Sequence, residues 1–335
     1  MTRWENDPAY RAVERAFVEG PPLEQAGGPL DVRAVLAGIP PEAKDGFLVE
    51  TVPWDRFPEG VRVRESLRQL RSGDAAAMSG ALATLQGLCA NDMRAAVVPA
   101  VPFLVRVAAD TDAAHRADVV ALAGGVARWW NHSLCTRADM LRFRYSGDEW
   151  CFEVTGYPGN WSAQAARDAI AADAGLLLPL LDDPDAGIRI ATAYALAAAS
   201  GREQHISNAF HARLVTEHDP GVRAGLVLAV AQLARAHGDA GAVVWSHACW
   251  SDALRPPEVR VSAALAWMCL TDVPVPDELH TVLDRFATDV TARVMAPLPW
   301  IRAVESADGN GLHRCLRRML HPDEPDPEGL CDPWG

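Results

Sequence analysis

Four times along this chain an Asp is followed, four residues later, by an Arg that opens an apolar, alanine-containing run: Asp112 and Arg116, Asp185 and Arg189, Asp219 and Arg223, Asp289 and Arg293. A fifth copy, PPEVRVSAALAWMCL, keeps Arg260 and puts Pro256 where the Asp would stand. The arginines at 189, 223, 260 and 293 lie 34, 37 and 33 residues apart. The step from Arg116 to Arg189 is 73 residues, two periods or one period plus an insertion. Self-similarity at a period of this size marks an array of small supersecondary units, none of which can bury its apolar face alone. Such units must stack.

The residues within one period say what the unit is. In LLLPLLDDPDAGIRIATAYALAAAS, the residues Leu176, Leu177, Leu178, Leu180 and Leu181 belong to a first helix. Asp182 to Gly187 carry turn chemistry, with Pro184 and Asp185 favouring a stop and a new N-cap. Ile190, Ala193, Tyr194 and Ala197 then fall at i, i+3, i+4 and i+7, one face of a second helix. An Asp at the turn accepts backbone N–H bonds at the helix start, and an Arg one turn further in reaches an acceptor on the adjacent unit. The predicted fold class is all-α, a right-handed α-solenoid of about six or seven helical pairs. Asp112, Arg116, Asp185, Arg189, Asp219, Arg223, Arg260, Asp289 and Arg293 read as a structural ladder. One active site needs no evenly spaced copies, whereas a ladder does.

The segments LLDDPDAGIRIATAYALA, VTEHDPGVRAGLVLAVAQLA and LRPPEVRVSAALAWMCL resemble HEAT repeats of the short bacterial type. Nearer the start come Trp54-Asp55, Leu67 to Leu70 before a Gly73-Asp74 turn, Ala81-Leu82, Leu88-Cys89 and AAVVPAVPFLVRVAAD. Together these are similar to a large actinobacterial family of HEAT-repeat proteins. That family usually carries a polar His-Gln-Gly-type loop after the Leu-Cys pair; here the loop reads ANDMRA, Ala90 to Ala95. The resemblance covers roughly residues 50–305. It implies a HEAT-like fold and a binding-scaffold role, and no activity.

Three parts follow. Residues 1–61, rich in Gly and Pro, read as an N-terminal capping segment with short helices near 8–18 and 31–37. Residues 62–305 read as the HEAT-repeat solenoid, with helical pairs at about 62–90 and 95–128 and an insertion at 129–161. Pro297 and Pro299 end or kink the last unit's second helix. Residues 306–335 hold a terminal helix, GLHRCLRRMLH, and an acidic, Pro-rich tail whose composition predicts disorder or loose draping.

The insertion is rich in aromatic residues: Trp129, Trp130, Trp150 and Trp161 lie in it, with Phe143, Tyr145, Phe152 and Tyr157. The turn SGDE between LRFRY and WCFEV predicts a short hairpin, a helix is expected near 136–142, and Ser162 is expected to N-cap the next unit. Loops carried on a rigid scaffold often hold function, and Trp, Tyr and Arg are enriched at interface hot spots. The partner-binding candidates are Trp129, Trp130, His132, Arg142, Arg144, Tyr145, Asp148, Glu149 and Trp150. The competing reading is that Trp129, Trp130 and Trp161 plug the gap between two units and only pack.

Other chemistry finds little support. His205, His211 and His218 are six and seven apart, not the i, i+4 spacing that sets two ligands on one helical face, and no HExxH or His-Glu dipeptide occurs. There is no GxSxG, GxxxxGK[ST] or GxGxxG. No metal and no cofactor is expected. The seven cysteines, with no CxxC, read as reduced apolar fillers, and Arg314, Arg317 and Arg318 as a last-turn face favourable to the helix dipole. With 31 Lys and Arg against 44 Asp and Glu, the net charge of -13 disfavours nucleic acid and anionic membranes as partners. No apolar run spans a membrane and the start lacks an apolar leader, so a cytoplasmic protein is expected. The favoured reading is a non-enzymatic scaffold, an immunity-type or regulatory adaptor gripping a basic protein partner. The alternative is a HEAT-like enzyme such as a DNA glycosylase, which needs a basic groove, or a cofactor or pigment lyase, which needs an apolar pocket.

Overall fold

The computed structural model describes residues 31–128, 136–143, 153–304 and 311–324, and the regular structure among them is helical. No helix among the described residues is long and apolar enough to cross a membrane. The chain divides into two compact units, Met1–Trp129 with Arg144–Leu177, and Trp130–Phe143 with Leu178–Gly335.

The first unit contains α1 (Val32–Gly38), α2 (Pro41–Asp45), α3 (Gly60–Leu70), α4 (Ala75–Ala90), α5 (Arg94–Val97), α6 (Val101–Ala109), α7 (Arg116–Val126), α8 (Gly159–Ala172) and α9 (Ala174–Leu177). Asp31 and Asp74 start α1 and α4 by accepting backbone N–H bonds from Arg33 and Ala76, each at 2.9 Å. α3 pairs with α4 and α6 with α7, while α8 packs on α1, α6 and α7. The stretch 94–109 is helical in pieces, because Pro99 interposes a 3-10 turn over Val98–Ala100 between α5 and α6. Trp54 is buried before α3 and donates its indole N–H to the Val49 carbonyl at 2.7 Å. Gly60 opens α3 against it: a Cβ there would stand 2.0 Å from the Trp54 carbonyl oxygen.

Ser162 does not cap α8. The helix begins at Gly159, after Pro158, and Ser162 lies within its first turn. Its hydroxyl instead donates to Glu153 at 2.5 Å, and Glu153 also accepts the Ala95 N–H in the first turn of α5 at 2.9 and 3.0 Å.

The second unit contains α10 (Ala186–Leu196), α11 (Glu203–Thr216), α12 (Pro220–His237), α13 (Gly241–Ser251), α14 (Pro257–Leu270), α15 (Asp277–Phe286), α16 (Asp289–Met295), α17 (Pro299–Arg302) and α18 (Gly311–Leu320). α12 lies between α10 and α14 to form a central row. α11, α13 and α15 pack along this row as an outer layer. α16 packs across α12 and α14. Trp300, in α17, donates its indole N–H to Gln232 of α12 at 2.9 Å and meets Tyr194 of α10 edge-on, 4.9 Å between ring centres. Gly221 and Gly225 of α12 make room for this crossing; a Cβ on them would lie 3.4 Å from the Val294 carbonyl oxygen and 3.3 Å from Leu298. Residues 289–302 thus cover one face of the central row. Covered on both sides, α12 is buried at nearly every position from Gly221 to Ala234, including those off its apolar stripe.

The leucine run before α10 is not one helix. It divides into α9 and a 3-10 segment, Leu178–Asp182, because Pro179 cannot continue the α-helical bonding. Pro297 and Pro299 likewise separate α16 from α17.

Residues 136–143 form turns rather than the expected helix. The Thr136 hydroxyl bonds to Asp139 at 2.5 Å, and the carbonyls of Arg137 and Ala138 are taken by Arg235 at 2.8 and 2.7 Å. Arg235 also reaches the Cys269 carbonyl, and Arg137 reaches those of Met319 and Val273. These are carbonyls at or just beyond helix C-termini, where unmatched acceptors and the negative dipole end favour a cation.

Candidate functional site

Most of the insertion candidates lie outside the described residues: Trp129, Trp130, His132, Arg144, Tyr145, Asp148, Glu149 and Trp150, together with the expected SGDE hairpin. Arg142 is described; it is partly exposed and pairs with Asp139 at 3.3 Å. On the C-terminal side of the insertion, Tyr157 accepts the Val32 N–H at 2.8 Å, and Trp161 carries the Arg33 guanidinium 3.7 Å above its ring.

The ladder residues divide into two kinds. Asp185 caps α10 and Asp219 caps α12, accepting N–H bonds from Gly187 at 2.7 Å and Val222 at 2.9 Å. One turn in, Arg189 reaches Glu217 at the turn before α12, and Arg223 reaches Glu258 at the start of α14, at 2.9 and 2.5 Å. Each arginine so ties its own helix to the next in the central row. Arg260 donates to the Trp250 carbonyl at 2.9 Å and covers the Phe286 ring at 4.5 Å. The outer copies are built differently. Asp112 is exposed, three residues before the αL residue His115 that precedes α7, and Arg116 donates to the Ala108 carbonyl at 2.8 Å. Thr288 rather than Asp289 caps α16; Asp289 faces His313 at 3.4 Å, and Arg293 is exposed.

The second unit's outer layer holds a cavity of about 610 Å³ between α11, the end of α12 and the start of α13. Glu203, Ser207 and His211, at steps of four, share one stripe of α11, with Asn208, three residues before His211, at its edge. α12 ends when Gly238 takes a left-handed conformation, φ 67°, its N–H closing on Arg235. The reversal brings Asp239 to the cavity wall, where its carboxylate accepts the Gly241 N–H at 2.8 Å and starts α13. Trp245, one turn further, supplies an indole wall, edge-on to His211 with ring centres 5.0 Å apart. Val230, Leu233, Ala234 and Ala242 make the floor.

The electrostatics of the cavity are lopsided. Glu203 faces His237 at 3.2 Å. Burial pushes the His211 imidazole below its ordinary value, with Asp239 pulling the other way, which favours the neutral ring. Asp239 has no cationic partner among the described residues. The partial negative charge at the C-terminus of the 18-residue α12 adds to it. An apolar floor, an indole and an uncompensated carboxylate suit a cation on an apolar stem. His205 and His218 do not line this cavity.

Sequence reasoning passed over this site. The polar stripe on α11 was legible at its spacing, whereas Trp245 and Asp239 join it only through the gap between two helix pairs. Among the described residues, no group of three or more His, Cys, Asp or Glu side chains is placed to hold a metal ion. The chain matches no protein-family model, no curated protein and no solved structure.

Proposed function

We propose that the protein is a HEAT-like α-solenoid serving as a cytoplasmic, non-enzymatic scaffold for a basic protein partner. An immunity-type or regulatory adaptor is the form this takes. The observation that carries the reading is the acidic balance of the chain, 44 Asp and Glu against 31 Lys and Arg, together with ladder arginines at 189, 223 and 260 that are engaged internally. Cations held in internal contacts leave the carboxylate surplus, Asp148 and Glu149 of the insertion among it, to attract a basic surface. Because residues 289–302 cover one face of the central row, the outer layer is the face of the second unit offered to a partner.

The test is capture of partners by the tagged full chain from its native lysate, at low and moderate salt, read by mass spectrometry. The reading predicts one stoichiometric basic protein, lost as salt rises and weakened by Trp150→Ala or Tyr145→Ala. Nucleic acid or a small chromophore in its place would overturn it and favour an enzyme.

A further inference from the structure

We propose that the cavity between α11, α12 and α13 is an anchor pocket for a guanidinium group, presented as an arginine side chain by the partner. The inference rests on the scaffold reading for the source of the arginine, and on the cavity alone for the chemistry.

Shape comes first. About 610 Å³ is ample for an arginine side chain, and the floor of Leu233, Ala234 and Ala242 would lie along its methylene stem. Charge comes second. Asp239, exposed at the rim, has no cationic partner among the described residues, and α12 directs its C-terminal end at the same place. Geometry of donors and acceptors comes third. A guanidinium is flat, weakly hydrated and carries five N–H donors, so it can stack on Trp245 while it donates in its own plane. The Asp239 carboxylate, the Asn208 side-chain oxygen and the acceptor nitrogen of neutral His211 are the matching acceptors. The Asn208 oxygen already takes one bond from Gln204 at 3.0 Å and has a second lone pair to offer. A compact, strongly hydrated ammonium gains less from the indole face and fills fewer of these acceptors. An anion would meet Asp239 and the wrong end of α12.

The test uses the full chain and N-propylguanidinium as probe, with N-propylammonium and propionate as controls, followed by calorimetry and saturation-transfer NMR at pH 7.5. N-propylguanidinium should bind, propionate should not, and an Arg-containing capped tripeptide should bind at least tenfold more tightly than the bare probe. Asp239→Asn and Trp245→Leu should each weaken binding about tenfold or more. Asn keeps an oxygen that can accept the Gly241 N–H, so Asp239→Asn should fold with an unchanged thermal midpoint. Asp252→Asn, outside the cavity, should bind like the wild type. No binding of the probe at 10 mM, or equal binding in both pocket variants, overturns the pocket. Probe binding with no gain for the tripeptide overturns the partner as source and leaves a free small cation. If the probe binds and no basic protein is captured from lysate, the scaffold reading fails while the pocket chemistry stands. If a basic protein is captured equally by Asp239→Asn, the anchor fails and the scaffold reading stands.

Discussion

Arg189 and Glu217, 28 residues apart, meet as a buried two-point pair, with Nε and Nη2 of the arginine 2.9 and 3.2 Å from the two carboxylate oxygens. Arg213 adds Nε at 3.0 Å and Nη2 at 2.7 Å, and the backbone N–H groups of His218 and Asp219 add bonds at 2.9 and 2.8 Å. One carboxylate therefore joins α10, α11 and the start of α12.

Removing that charge leaves Arg189 buried without its counter-ion. Glu217→Gln should destabilise the second unit by about 3 kcal/mol, read from urea unfolding at pH 7. Burial alone would raise the Glu217 carboxyl, but the Asp219 N–H, Arg213, Arg189 and the His218 N–H overcome it and hold it at about 2, from an ordinary 4.5. A carboxyl depressed by folding contributes stability that is complete above its unfolded value and is lost as pH falls through its folded value. The wild type should therefore lose more stability than Glu217→Gln as pH drops from about 5 to about 2. Parallel acid curves for the two proteins would refute this.

Glu153 behaves in the opposite sense. Burial pushes its carboxyl up to about 8, against the opposing pull of the Ser162 hydroxyl, the Ala95 N–H and Arg94. The folded state holds the proton that the unfolded chain releases above about pH 4.5, so stability falls as pH rises from there to about 8. Glu153→Gln should erase that slope and come out more stable than the wild type at about pH 8.5, with little gain at about pH 5. Thermal midpoints at the two pH values decide it.

Gly60 and Gly73 make a matched pair. Gly73 has φ 74° with open space around its would-be Cβ, and Gly60 has the Trp54 carbonyl oxygen 2.0 Å away. Gly73→Ala should cost about 1 kcal/mol, the ordinary penalty for an alanine held at positive φ. Gly60→Ala should cost more, about 3 kcal/mol, because backbone has to move. Equal midpoints in urea would mean that the Trp54 turn yields freely.

Trp300 tests the cover over the central row. Trp300→Ala should cost about 3–5 kcal/mol through the cavity it leaves. Trp300→Phe should cost less, about 1–3 kcal/mol, since a ring still meets Tyr194 while Gln232 loses the indole donor. Limited proteolysis of the alanine variant should cut first within 289–302; unchanged cleavage would show that the segment is held by other contacts.

How far the sequence carried follows from which contacts are local. The caps at Asp185 and Asp219 and the tie from Arg189 to the next unit were legible because they repeat at a fixed spacing and involve neighbouring units. The all-helical class followed from the same periodicity. The crossing of α16 and α17 was not legible, since it depends on Trp300 finding Gln232 and Tyr194 two and three helix pairs back, and on the two small positions Gly221 and Gly225. Asp112 and Asp289 share the spacing of the ladder without its caps, because His115 and Thr288 stand at the residue before the helix. The helix expected near 136–142 gave way to turns whose Arg137 and Ala138 carbonyls are taken by Arg235, nearly a hundred residues away in the chain.

The cover over the central row also sets a schedule for synthesis. Trp300 and Gln232 are 68 residues apart, and a ribosome adding roughly 5–20 residues per second needs about 3–14 seconds to span that gap. Throughout that interval the nascent chain already has α10 and α12 available, with the Gly221 and Gly225 strip bare. The apolar side chains of α10 and α12 around that strip, bare in that interval, are surface of the kind that holding chaperones bind and that aggregates in their absence. The second unit is completed by its late-made residues, so a ribosome that stalls before Trp300 emerges releases a product that cannot close.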